Sequence, residues 1–82
     1  MEAFKIRVDL ITDRVKLFVV PFEIQSADPT IGYLLIENEF TLGSIYLNEN
    51  YQWTTNEILP WDAEDLQLIG RAIESLYFLF QD

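Results

Sequence analysis

The chain has 82 residues, a formal net charge of −9 and neither cysteine nor histidine. Without those two side chains, disulfides, thiolate zinc sites, thiol nucleophiles and imidazole catalysis are excluded. Half of the residues are hydrophobic and 15% are aromatic, which is typical of a folded globular chain. We therefore expect a single small domain spanning residues 1–82.

The charge is divided unevenly along the chain. Residues 1–16 hold four of the five cations and three carboxylates, whereas residues 17–82 hold eleven carboxylates and Arg71 alone. Most of the molecule would repel a phosphate backbone or an anionic bilayer, so we expect no direct binding to nucleic acid or membrane. No apolar run resembles a signal peptide or approaches the ~20 residues that cross a bilayer. We expect a cytoplasmic protein.

Alternating apolar and polar residues predict an antiparallel meander of four to five strands. Turn signals separate the strands: a loop with Asp-Pro at residues 26–30, then Glu37-Asn38-Glu39, then Asn48-Glu49-Asn50. The predicted strands span about residues 3–11, 14–20, 31–36, 40–47 and 51–55.

The first two strands are predicted to form a hairpin. A loop of two or four residues places Leu10 opposite Val15 on the apolar face, and Asp9 opposite Lys16 on the other face. Pro21 cannot donate a ladder hydrogen bond. The second strand is therefore expected to end there, to bulge, or to lie at a sheet edge.

The fourth strand is predicted to contain a bulge. If both of its flanking turns have three residues, Ile36 meets Phe40 and Leu47 meets Tyr51. These two pairings require a change of side-chain parity within the strand. Gly43 lies at that point, and a glycine inside a strand is a usual sign of a bulge.

An amphipathic helix is predicted from about Asp62 to Phe80. Asp62 is a suitable N-cap, and Glu64 and Asp65 place negative charge on the first turn, where the helix dipole favours it. Gly70 lies on the apolar face and would allow close approach to the sheet. The fold class predicted is α+β, with this one C-terminal helix packed on one face of the meander. Its core is expected to contain Ile6, Val8, Leu10, Leu17, Val19, Leu66, Ile69 and Ile73.

The sequence holds no motif that names a reaction. Its serines lack a nucleophile elbow, and its glycines are too isolated to cradle a phosphate. Asp62, Glu64 and Asp65 form the densest carboxylate cluster, but helix capping explains all three better than a metal site does. We expect no catalytic residues, no cofactor and no metal, and therefore no enzyme.

One helix covers only one face of a sheet, so apolar residues on the other face of the first hairpin need another explanation. Contiguous apolar surface on a small acidic protein indicates an interface. The predicted interface joins apolar residues to nearly all of the positive charge: Ile11, Phe18, Val20, Lys5, Arg7, Arg14 and Lys16.

These features favour a small acidic, non-catalytic protein-interaction module that forms a homodimer or docks on a protein partner, without a small-molecule ligand. The alternative is an acidic inhibitor, of nucleic-acid-mimic or immunity type, that neutralises a basic partner. Its support is the net charge of −10 across residues 17–82. An ordered row of carboxylates would indicate mimicry, whereas scattered carboxylates serve solubility. A pocket lined by aromatic residues between sheet and helix would instead favour a small-molecule binder.

Overall fold

A computed structural model of the protein describes residues 2–11, 13–24 and 30–79, with the backbone alone for 77–79. One antiparallel sheet of five strands, in the order β1-β2-β3-β4-β5, curls into a half-barrel against a C-terminal helix. The predicted α+β meander with one helix is therefore confirmed. Its elements are β1 (Phe4–Asp9), β2 (Arg14–Ile24), β3 (Thr30–Glu37), β4 (Phe40–Leu47), β5 (Trp53–Thr54) and α1 (Ala63–Leu79). The predicted loop at 26–30 and the predicted helix end at Phe80 lie outside the described residues, except for Thr30 in β3.

The first hairpin closes earlier than predicted. The Leu10 N–H donates to the Asp13 carbonyl at 2.7 Å, and Val15 lies opposite Val8 instead of Leu10. The predicted register was therefore wrong by two residues, because it placed Asp13 within the loop. Since side chains alternate with a period of two, this shift leaves each of them on its predicted face.

The second strand does not end at Pro21 but continues to Ile24. In the first hairpin, Leu10 and Asp13 form a hydrogen-bonded pair. Such pairs recur at every second residue along an antiparallel ladder, and the last of them is Phe4 with Val19 at the start of β1. The nitrogen of Pro21 points to the same side, beyond the end of β1, where none of the described strands requires a donor. Of the three expected alternatives, a local sheet edge is the one found.

The turn between β3 and β4 has two residues instead of the predicted three. Asn38 and Glu39 have φ of 50° and 71°, which is the pattern of a type I′ hairpin turn. Glu37 therefore lies opposite Phe40, and the predicted pairing of Ile36 with Phe40 is wrong. An asparagine tolerates the left-handed region, so it starts this tight turn at little cost.

The predicted bulge in β4 is present. Ile36 faces Thr41, whereas the preceding residue Leu35 faces Gly43. The register between β3 and β4 therefore shifts at this point, and Leu42 is the extra residue of the bulge. Gly43 has φ of 149°, and a β-carbon there would lie 2.7 Å from a Leu59 methyl carbon. Both the backbone conformation and the contact favour glycine.

The turn between β4 and β5 lies one residue later than predicted. The Asn48 N–H donates to the Gln52 carbonyl at 2.9 Å, and the Tyr51 N–H donates to the Asn48 carbonyl at 3.0 Å. Leu47 therefore faces Trp53 and not Tyr51. Tyr51 has φ of 60°, so it takes the left-handed position of a three-residue hairpin loop and lies outside β5.

The helix begins as predicted. The Asp62 carboxylate accepts a hydrogen bond from the Asp65 N–H at 3.0 Å, which confirms Asp62 as the N-cap. Gly70 lies directly against Trp53, and a β-carbon at this position would overlap the indole ring. The Trp53 indole N–H donates to Glu74 at 3.0 Å, so the ring is fixed at both its face and its edge.

The core lies between α1 and the concave face of the sheet. All eight residues predicted for it are buried in one cluster. Four further buried members come from the second, third, fourth and fifth strands: Val15, Leu35, Ile45 and Trp53.

Side chains take the place of a further strand along the β5 edge of the sheet. The Gln67 amide accepts from the Trp53 N–H at 3.1 Å and donates to the Trp53 carbonyl at 2.7 Å. Where β5 ends, the Thr55 hydroxyl donates to the Ser44 carbonyl at 2.7 Å, and the Glu57 carboxylate accepts from the Ser44 N–H and hydroxyl. This edge is therefore closed to another strand at these residues.

Candidate interaction surface

The face of the sheet opposite α1, called the outer face, carries the predicted interface. Leu17 and Val19 in β2 are buried in the core on the side of the sheet that faces α1, so Phe18 and Val20 point the other way. The Phe18 side chain is 40% exposed, and Val20 is half-buried beside Leu34 of β3. The alternation of β2 therefore presents an apolar strip on the side that the helix does not cover.

Positive charge surrounds Phe18 on this face. Lys5 lies directly opposite Phe18 in the neighbouring strand, and Arg7 lies opposite Lys16. All three cations are exposed. A shallow depression of about 490 Å³ brings them together with the aromatic ring, and we call it the outer depression. Its outward lining consists of Lys5, Arg7, Lys16, Phe18, Ile36 and the Asn38–Glu39 turn.

Three of the predicted interface residues, Val20, Arg14 and Ile11, lie outside this depression. Arg14 donates to Asp9 at 2.6 Å, and both side chains are about three-quarters exposed, at 77% and 75%. The predicted pairing of Asp9 with Lys16 is therefore wrong, because the hairpin closes two residues earlier. Ile11 is 63% exposed at the end of the hairpin. An ion pair this exposed contributes little to stability, so replacing it by a contact with a partner would cost little.

The third strand contributes outward apolar residues that the prediction did not include. Ile36 lies opposite Phe18 and lines the outer depression, and Leu34 lies opposite Val20. Further along β2, the Phe22 ring covers Gly32, where a β-carbon would lie 2.6 Å from the ring. The uninterrupted apolar run of β3 was the sequence signal, because a strand with one solvated face alternates instead.

Carboxylates lie mostly elsewhere, and several have structural partners. Asp62 caps α1, Glu57 binds Ser44, and Glu74 binds the Trp53 indole. Glu39 and Glu49 lie in turns at opposite ends of β4, a strand of eight residues. At about 3.3 Å per residue these two carboxylates are separated by roughly 25 Å.

Of the three carboxylates at the start of α1, Asp62 is the one that caps the helix through a hydrogen bond. Asp65 is only 8% exposed, and its Oδ1 atom has no hydrogen-bond partner among the described residues. Within residues 2–11, 13–24 and 30–79, no three metal-ligating side chains form a group that could hold an ion. The space between sheet and helix is occupied by Trp53, whose ring lies 5.5 Å from that of Tyr33 at a tilt of 58°.

Comparison with protein-family models, curated proteins and solved structures gave no match to this chain. In the part of the chain that the structure describes, no helix is long and apolar enough to cross a membrane.

Proposed function

We propose that this protein is a non-catalytic interaction module that docks on an acidic surface of a protein partner through its outer face. One observation supports the proposal: Phe18 lies between Lys5 and Ile36 in a depression lined by three cations and one carboxylate, on a chain with a net charge of −9. The composition, which lacks cysteine, supports a cytoplasmic setting for this role.

The chemistry of the outer depression defines the partner. Covering an exposed aromatic ring with a second apolar surface is favourable, and aromatic residues are common binding hot spots. Lys5, Arg7 and Lys16 around the ring would attract carboxylates and orient them. The best complement is therefore an apolar side chain flanked by Asp or Glu on the surface of the partner.

The scattered carboxylates do not supply a comparable surface. Glu39 lines the outer depression beside the cations, Glu49 lies at the opposite end of β4, and Glu57 is held by Ser44. The acidic-inhibitor alternative requires carboxylates in an ordered row that a basic partner would meet. The interaction module requires an acidic contact surface on the partner, whereas the acidic inhibitor requires a basic one. An experiment that identifies this charge separates the two functions.

Affinity capture from the native cell with matched variants tests the proposal. We expect one partner to be retained by the wild type and by Phe40→Glu, and to be lost with Phe18→Glu. Phe40 is a suitable control because it is also an exposed phenylalanine, at 74%, and lies outside the outer depression. Retention should also weaken as salt rises, because screening reduces the attraction between lysines and carboxylates.

The opposite pattern would overturn the proposal. If Phe18→Glu retained every partner of the wild type, the outer face would not be the contact surface. If the purified partner bound through a basic surface, the acidic-inhibitor alternative would replace the module.

A further inference from the structure

The outward edge of β1 is open, whereas side chains close the outward edge of β5. Among the described residues, β1 pairs only with β2, and no side chain binds its outward backbone groups. The strand has six residues and no proline or glycine. Edges of this kind accept a further strand unless charge, proline, a bulge, or a covering helix or loop prevents it.

The hydrogen bond that closes the hairpin identifies the free backbone groups. Leu10 and Asp13 form a hydrogen-bonded pair, and such pairs alternate with non-bonded pairs along an antiparallel ladder. Lys5, Arg7 and Asp9 therefore occupy non-bonded positions toward β2. Their N–H and C=O groups point away from the sheet, to the open edge.

The side chains at these positions are charged, which usually discourages edge pairing. Here the charges have opposite signs. If two copies of β1 pair antiparallel, one allowed register places Arg7 opposite the partner's Asp9, and Asp9 opposite the partner's Arg7. In this register the open groups of each strand meet as hydrogen-bonded pairs, whose Cα atoms are about 5.5 Å apart. The sequence of the edge is therefore complementary to itself.

We propose that two copies of this chain pair through their β1 edges into one continuous sheet, held by reciprocal Arg7–Asp9 contacts. The two outer faces then lie side by side, so that the dimer presents two outer depressions in one surface. This inference rests on the edge and not on the partner-docking proposal. It predicts that the protein forms a homodimer without any other component.

Charge reversal at the two edge residues provides a sharp test. Arg7→Asp places carboxylates opposite carboxylates across the seam, and Asp9→Arg places cations opposite cations. We expect each variant alone to dimerise at least about tenfold more weakly than the wild type by sedimentation equilibrium. An equimolar mixture of the two variants restores both opposite-charge pairs, so native mass spectrometry should show a heterodimer.

Lys16→Asp is the matched control. Lys16 lies on the same face as Arg7 and opposite it, but in β2, one strand away from the edge. This reversal changes the charge equally and should leave dimerisation within about twofold. It should weaken partner docking instead, because Lys16 lines the outer depression. The experiment can therefore contradict the dimer proposal without contradicting the docking proposal, and the reverse.

Three results would overturn the inference. One is a wild type that stays monomeric up to about 1 mM, beyond the range of weak specific association. Another is a pair of folded single variants that dimerise as well as the wild type. The third is a mixture of the variants that forms no more heterodimer than either forms homodimer.

Discussion

The two faces of the sheet differ although they are built from the same strands. In β2, Leu17 is 1% exposed and Val19 0%, whereas Phe18 between them is 40% exposed. The inner residues stabilise the fold by packing in the core cluster. Among the described residues, Phe18 and Val20 belong neither to the core cluster nor to the side chains packed against it, so they are available to a partner. Stability and binding should therefore respond to different substitutions.

The largest change in stability is expected from substitutions in the core. Ile73 is 1% exposed in the core, so Ile73→Ala should lower the free energy of unfolding by about 2–5 kcal/mol through lost burial and a residual cavity. Chemical denaturation measures this change. Ile58→Ala removes the same atoms from a side chain that is 99% exposed and should change stability by less than about 0.5 kcal/mol. Similar losses at both positions would contradict the assignment of the core.

A smaller effect is expected where a side chain closes the β5 edge. Gln67→Leu would leave the N–H and C=O of Trp53 without their partners, at a cost of about 1–3 kcal/mol. Thermal unfolding measures the loss. Gln52→Leu, at an exposed position in the preceding turn, is the control. If Gln67→Leu were as stable as that control, water would replace the amide without penalty, and the edge would not need the side chain.

The helix cap is expected to contribute less. Asp62→Ala should destabilise the protein by about 0.5–2 kcal/mol, because the Asp65 N–H loses its acceptor. Glu64→Ala, in the same first turn, loses only an interaction with the helix dipole and should cost less. An equal loss in the two variants, measured by chemical denaturation, would show that charge and not capping stabilises this end.

The smallest change in stability is expected on the outer face. Phe18→Glu replaces a partly exposed side chain, so it should alter the free energy of unfolding by no more than about 1 kcal/mol. The same variant should abolish partner retention. A melting temperature lowered as far as that of Ile73→Ala would place Phe18 in the core and remove the distinction between the faces.

The assignment of residues to faces could be predicted because it depends only on alternation within each strand. The predicted faces were correct despite the two-residue error in the register at Leu10 and Asp13, because a shift of two residues leaves each side chain on the same face. The register itself could not be predicted, since it depends on where a turn closes. Pro21 shows the same limit: its missing N–H matters only if β1 extends beside it, and only the pairing of the strands reveals that it does not.

The candidate surface was partly predictable for the same reason. The cations and Phe18 lie in the first hairpin, so local alternation placed them together. Ile36 and the Asn38–Glu39 turn join them only through the pairing of β2 with β3, which is a contact between distant parts of the sequence. Gly70 was correctly predicted to allow close approach, but nothing local indicated that Trp53 would occupy the space.

The central claim is that the outer face binds an acidic surface, and zero-length cross-linking of the complex tests it most directly. A carbodiimide joins a lysine amine to a carboxylate only when the two are in contact. Lys5 and Lys16 are the only lysines in the chain, and both line the outer depression. We expect links from these two lysines to Asp or Glu of the partner. Links that join carboxylates of this chain to lysines of the partner, with none from Lys5 or Lys16, would contradict it.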